Sequence, residues 1–143
     1  MKLQTNTYAG IPEELATLKN AEVILTSIPY DGTSTWGKGA DKGFEAFLYA
    51  SENMELYDIE TGTEPYKHGV YLESPLKVKE DTPEEMVAKV YAKTLELLKK
   101  KKFLTFFGGE HSVSIGILRA FAEKYKNLTV LQLDAHTDLR QKY

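Results

Sequence analysis

Apolar residues in this chain recur in two rhythms. The run "AEVILTSIP", Ala21 to Pro29, is continuous and rich in β-branched residues, and Pro29 stops it. That pattern predicts a strand buried on both faces. "FLTFF", Phe103 to Phe107, and "LTVLQLD", Leu128 to Asp134, predict two more. Elsewhere the spacing is helical. Phe44, Phe47, Leu48 and Ser51 share one face, and Val113, Ile117, Phe121 and Tyr125 return every four residues. Between them, Met86, Val87, Val90, Tyr91, Leu95 and Leu98 form an apolar stripe. This stripe has its own start signal: Thr82 as N-cap, Pro83 in the first turn and Glu85 to close a capping box. "ELYDIETGTEPYKHGVYLESP" reads as two short strands, Leu56 to Ile59 and Val70 to Leu72, around a loop. Helix and buried strand alternate through the second half, which predicts an α/β fold with a mainly parallel sheet covered on both faces, a three-layer α/β/α arrangement.

In such sheets, sites form beyond the carboxyl ends of strands. Two segments rich in chemistry fall there: "GGEHS" after the second buried strand and "DAHTD" after the third. Asp134, His136 and Asp138 alternate, and in an extended chain such residues share one side. Along a straight strand the outer two lie roughly 13 Å apart, far more than metal bonds of about 2.0–2.2 Å span. Either the backbone curls or the carboxylates serve two ions. His111 is the candidate ligand from the other strand, with Gly108 and Gly109 letting the backbone turn it inward. Alone, each segment has an ordinary structural reading, as a strand-end aspartate or a loop histidine; together at one sheet edge they favour a metal site.

The neighbouring polar residues are read more plainly. Glu110 is a carboxylate outside the ligand set, and Ser112 is the N-cap of the third helix. Asp31, in "PYDGT", is a turn residue with a substrate-lining role as the alternative. No residue is assigned as a catalytic acid or base. Oxygen-rich ligation with some imidazole suits manganese, magnesium or iron, and two hard ions bridged by a carboxylate suit hydrolysis.

Composition narrows the rest. The 143 residues carry a formal net charge of -3, which leaves no electrostatic footprint for nucleic acid or an anionic membrane. The one basic block, Lys99 to Lys102, suits the end of a helix. There are no cysteines, so disulfides and zinc–thiolate sites are excluded. With no spanning stretch and no secretory h-region, a cytoplasmic protein is expected.

"GGEHS" and "DAHTDLR" resemble the first two metal motifs of the ureohydrolase (arginase/agmatinase) family, and "SIPYDGTSTWGKGADKG" resembles the N-terminal loop of its agmatinase branch. The likeness runs from about Val23 to the last residue. It implies two manganese ions, with His111 on the first, Asp134 bridging both, His136 on the second and Asp138 on the first. It also implies hydrolysis of a small guanidino substrate with release of urea, agmatine giving putrescine being the substrate this loop type suggests. A homo-oligomer, trimer or hexamer, is implied in the same way. Three features depart from the family pattern. Phe44 stands where a proline is usual, with Phe47-Leu48 near an Ile-Arg position. A third motif of paired aspartates and a downstream histidine are missing, as are the later strands of a sheet of about eight. Residues 1–143 are therefore expected to be the N-terminal part of a single arginase-like domain lacking its C-terminal part, and inactive alone. The rivals are other ureohydrolases (for guanidinobutyrate, formiminoglutamate or arginine) and a non-catalytic module holding an anion at the helix that follows "GGEHS".

Overall fold

The computed structural model describes residues 6–138. Three strands form one parallel sheet: β1 (Val23–Ile28), β2 (Val70–Leu72) and β3 (Phe103–Gly108), in the order β2-β1-β3. β1 is the centre, pairing Val23 with Val70 on one side and Val23 through Ile28 with Phe103 through Gly108 on the other. Its central position explains its composition, since five of its six residues are buried.

The pleat sends alternate residues to opposite faces. Leu25 and Phe107 face α1 (Gly43–Ser51), where Phe44 and Leu48 close a cluster with Tyr8 and Phe47. Ile28 and Phe106 face the other way, toward Met86 and Val90 of α2 (Pro83–Leu98) and Val113 and Ile117 of α3 (Val113–Lys124). The result is the expected three-layer α/β/α arrangement. The unusual Phe44 and Phe47-Leu48 are thereby accounted for. Phe44 and Phe47 lie 5.5 and 4.9 Å from the Phe107 ring, and Phe47 stacks on Tyr8 at 5.7 Å, so these residues build an aromatic layer under the sheet.

α2 starts where expected. Thr82 Oγ1 accepts the Glu85 N–H at 3.3 Å and Glu85 accepts the Thr82 N–H at 2.9 Å. Its buried face is Met86, Val90, Thr94, Leu97 and Leu98, so Thr94 and Leu97 displace Tyr91 and Leu95 from the predicted stripe. Thr94 is tolerated there because its hydroxyl donates to Val90 O at 2.8 Å. The lysine block does lie at the helix end, with Lys99 as C-cap and Lys102 Nζ donating to Ala21 O. In α3 the buried positions are Val113, Gly116 and Ala120. Small residues face α2 because the two backbones nearly touch: a Cβ on Gly116 would stand 2.7 Å from Val87 O. The four-residue stripe peels away at its end, and Tyr125 lies beyond the helix, 46% exposed.

Two predicted strands are corrected. Leu56 to Ile59 holds only an isolated antiparallel bridge, Asp58 with Thr63, because Asp58 Oδ1 accepts the Glu60 and Thr61 N–H groups and makes a turn of it. Leu128 to Asp134 is not paired into the sheet at all. Among the described residues its backbone has no strand neighbour, and Leu131 and Leu133 stand 82% and 89% exposed. Also among the described residues, no helix is long and apolar enough to cross a membrane.

Candidate metal centre

β3 ends at Gly108, and the next residues turn over the carboxyl end of the sheet. The glycine pair is needed here for space. A Cβ on Gly109 would lie 1.9 Å from Tyr30 O, and one on Gly108 2.6 Å from Val113 Cγ2. Gly109 N–H donates to Ile28 O at 3.0 Å, locking this turn to the end of β1. His111 is thus presented from a fixed base.

The acidic segment reaches the same place by curling. The chain bends at residues 134–136, where the Asp134 carboxylate accepts the His136 N–H, and Asp138 adds a left-handed step with a φ of 51°; the extended alternation the spacing suggested ends there. His111, Asp134 and Asp138 converge, each with a ligand atom within 4.8 Å of the others. His111 Nδ1 lies 2.8 Å from Asp138 Oδ2 and 3.6 Å from Asp134 Oδ2. A divalent ion with bonds of about 2.1 Å sets adjacent octahedral donors roughly 3 Å apart, so these separations fit one ion. His136 is outside that triad. Its ring Nδ1 lies 3.9 Å from Asp134 Oδ1, and its backbone N–H donates to that same oxygen at 2.9 Å. Asp134 therefore turns one oxygen to each imidazole.

The charges respond to one another. Asp138 accepting from His111, with the negative charge of Asp134 beside it, raises the imidazole pKa above its ordinary 6.5. The His136 N–H holds the Asp134 carboxyl below the usual range. The group faces solvent: the His111 side chain is 74% exposed and that of Asp134 20%. A water-accessible, carboxylate-rich donor set with imidazole is suited to a hard divalent cation.

The residues around it have other tasks. Glu110 accepts the Ser112 N–H at 2.9 Å, the Ser112 hydroxyl, and the Thr33 hydroxyl at 2.7 Å. Ser112 stands at the N-cap position, but its side chain makes no cap; the Glu110 carboxylate takes that place at the positive end of α3. Asp31 is not a member of the triad and organises its own loop. One oxygen accepts the Ser34 hydroxyl and the other the Gly39 N–H at 2.6 Å, and these bonds lower its pKa. The clamp formed by Thr33 and Glu110 was not evident in the sequence, since the partners are 77 positions apart. Leu139 and Arg140 of the second motif lie outside the described residues.

The Arginase family profile matches residues 21–143. The N(1)-aminopropylagmatine ureohydrolase of Synechocystis sp. is 35% identical over 137 residues, covering 92% of this chain and 45% of that protein. The agmatinase of Bacillus anthracis is 33% identical over 132 residues, covering 87% and 43%. The agmatine ureohydrolase structure of Thermoplasma volcanium superposes with a TM-score of 0.83 at 23% identity over 99% of this chain and 46% of that one, a likeness of fold. The chain spans about half the length of the curated relatives it matches. A profile match over most of the chain, taking in both histidine-bearing segments, places it by descent: the chain belongs to the arginase family.

Proposed function

We propose that this chain carries part of the active site of a manganese-dependent amidinohydrolase acting on agmatine or an agmatine extended at its amine end. The observation that carries this reading is the placement of Asp134, with Oδ2 3.6 Å from the His111 ring nitrogen and Oδ1 3.9 Å from that of His136. One carboxylate facing two imidazoles is suited to bridging two ions. His111 and Asp138 would hold the first and His136 the second. Two divalent ions there would supply water activation near neutral pH and polarisation of the guanidino group. The chain's own residues fix the geometry: Gly109 packs on Tyr30 and seats His111, and Glu110 ties the loop from Asp31 to that turn. The overall reaction breaks the bond between the guanidino carbon and the tail nitrogen and adds the elements of water, giving urea and an amine.

Two carboxylates offset only half of the four positive charges of two divalent ions. Taken alone, the chain should bind about one manganese ion weakly and release no urea. The anion-binding alternative is less well supported, because the N-terminus of α3 already holds the Glu110 carboxylate. The test joins this chain to the C-terminal part of the Synechocystis relative and supplies manganese with agmatine or N(1)-aminopropylagmatine. Urea release that is abolished by Asp134→Asn is expected. A folded chimaera with manganese bound that hydrolyses no guanidino compound would refute the proposal.

A further inference from the structure

The loop between β1 and α1 contains a residue that the fold does not use. Trp36 is the only tryptophan in the chain, and it is 102% exposed among small polar residues. The loop that carries it is held at both ends. The Asp31 carboxylate bonds Ser34 before the tip and Gly39 after it, and Lys38 Nζ donates to Asp31 O. Lys79 pairs with Asp41 at 2.9 Å and fixes the turn that follows. An exposed indole on a clamped loop is a presented group.

Its location gives it a task. Thr33 is bonded to Glu110, the residue before His111, so the loop is fastened beside the metal centre. Trp36 is three steps along the chain from Thr33, a reach of at most about 10 Å. That reach allows the indole to meet a substrate tail several methylenes long whose guanidino end sits at His111, Asp134 and Asp138. An indole attracts an ammonium over its face and offers apolar surface to the methylenes beside it. The two substrates proposed above share the guanidino end and differ only in the length and amine content of the tail.

From this placement we infer that Trp36 is a specificity residue that binds the aliphatic, cationic tail of the substrate. This rests on the amidinohydrolase reading. Because Trp36 is the sole tryptophan, its emission reports on it alone. The manganese-loaded chain would be titrated with agmatine, N(1)-aminopropylagmatine, butylguanidine and guanidinium chloride. The amine-tailed compounds should change the emission at lower concentration than butylguanidine, and guanidinium ion should leave it unaltered. By calorimetry, Trp36→Ala should bind the amine-tailed compounds roughly two- to fivefold more weakly, Trp36→Phe should keep most of the affinity, and both should bind manganese as the parent does. Unchanged affinity in Trp36→Ala overturns the inference. So does emission that ignores the tailed compounds while manganese still binds, or that follows protein concentration instead, which would mark Trp36 as a contact between copies. Failure of the parent chain to bind manganese would sink the metal reading, and this inference with it.

Discussion

Replacing Gly109 by alanine should unseat the metal centre without touching a ligand. The added Cβ would stand 1.9 Å from Tyr30 O, 2.8 Å from Tyr30 C and 3.0 Å from Tyr30 N. All three are backbone atoms at the end of the central strand, so no side chain can swing aside. Relief requires the oxygen contact to open beyond 3.0 Å, a separation of β1 and β3 of at least about 1 Å at this point. Overpacking of this kind costs about 1–3 kcal/mol. The bond from Gly109 N–H to Ile28 O is stretched by the same movement, adding about 1 kcal/mol. The sum, roughly 2–4 kcal/mol, should lower Tm by about 5–12 °C for a chain of this size. His111 follows two residues later and moves with the turn, so manganese affinity should fall at least about tenfold even in the cold, where the protein is folded. Scanning calorimetry reads the first effect and a manganese titration at low temperature the second. Gly116→Ala is the control. It also crowds backbone, at Val87 O, but on the face of α3 turned to α2, with no contact to the turn that carries His111, and it regains about 1 kcal/mol of helix propensity. It should cost less stability and leave manganese affinity alone. A Gly109→Ala protein with parental Tm and parental affinity would refute the steric argument.

Other outcomes follow from single contacts. NMR titration of the metal-free chain should place the His111 midpoint above 6.5, and Asp138→Asn should bring it down. Because the folded-state pKa is the raised one, the His111 contribution to stability is complete below the unfolded value and fades as pH rises through the folded value; manganese, which needs the neutral ring, binds less as pH falls through that same value. Thr82→Ala removes the hydroxyl of the α2 capping box and should cost about 1 kcal/mol in denaturant unfolding, with manganese binding unaffected. Leu131→Lys with Leu133→Lys replaces two exposed apolar side chains, so sedimentation should show less self-association at an unchanged Tm; equal association in parent and variant would contradict that.

What could be read from sequence divides by the range of the forces involved. α2 was legible to its cap because Thr82, Pro83 and Glu85 act within one turn. β1 was legible because a strand flanked on both sides is buried along its length and admits only apolar or small uncharged residues, here Thr26 and Ser27 among them. Leu128 to Leu133 has the same composition and stays unpaired, since composition sets a preference while pairing needs a neighbour at hydrogen-bonding distance. The metal candidates were legible as residue types. Their grouping was only half legible: alternation put Asp134, His136 and Asp138 on one side, whereas the chain bends at residues 134–136, so that both aspartates meet His111 and His136 stays beside the other oxygen of Asp134. The roles of Glu110 and Asp31 depend on partners fixed by the loop's path, which no local pattern encodes.

The position of β1 at the centre of the sheet also governs the order in which the molecule can be made. Val23 finds Val70 on one side and Phe103 on the other, so its second neighbour is synthesised eighty residues later. At about 5–20 residues per second, a nascent chain waits roughly 4–16 s between the appearance of β1 and that of β3. Throughout that interval the most buried strand lacks its longer neighbour, the one paired along its whole length. Closing so long a loop is entropically costly and slow. During synthesis, then, β1 is the segment a chaperone would have most reason to hold.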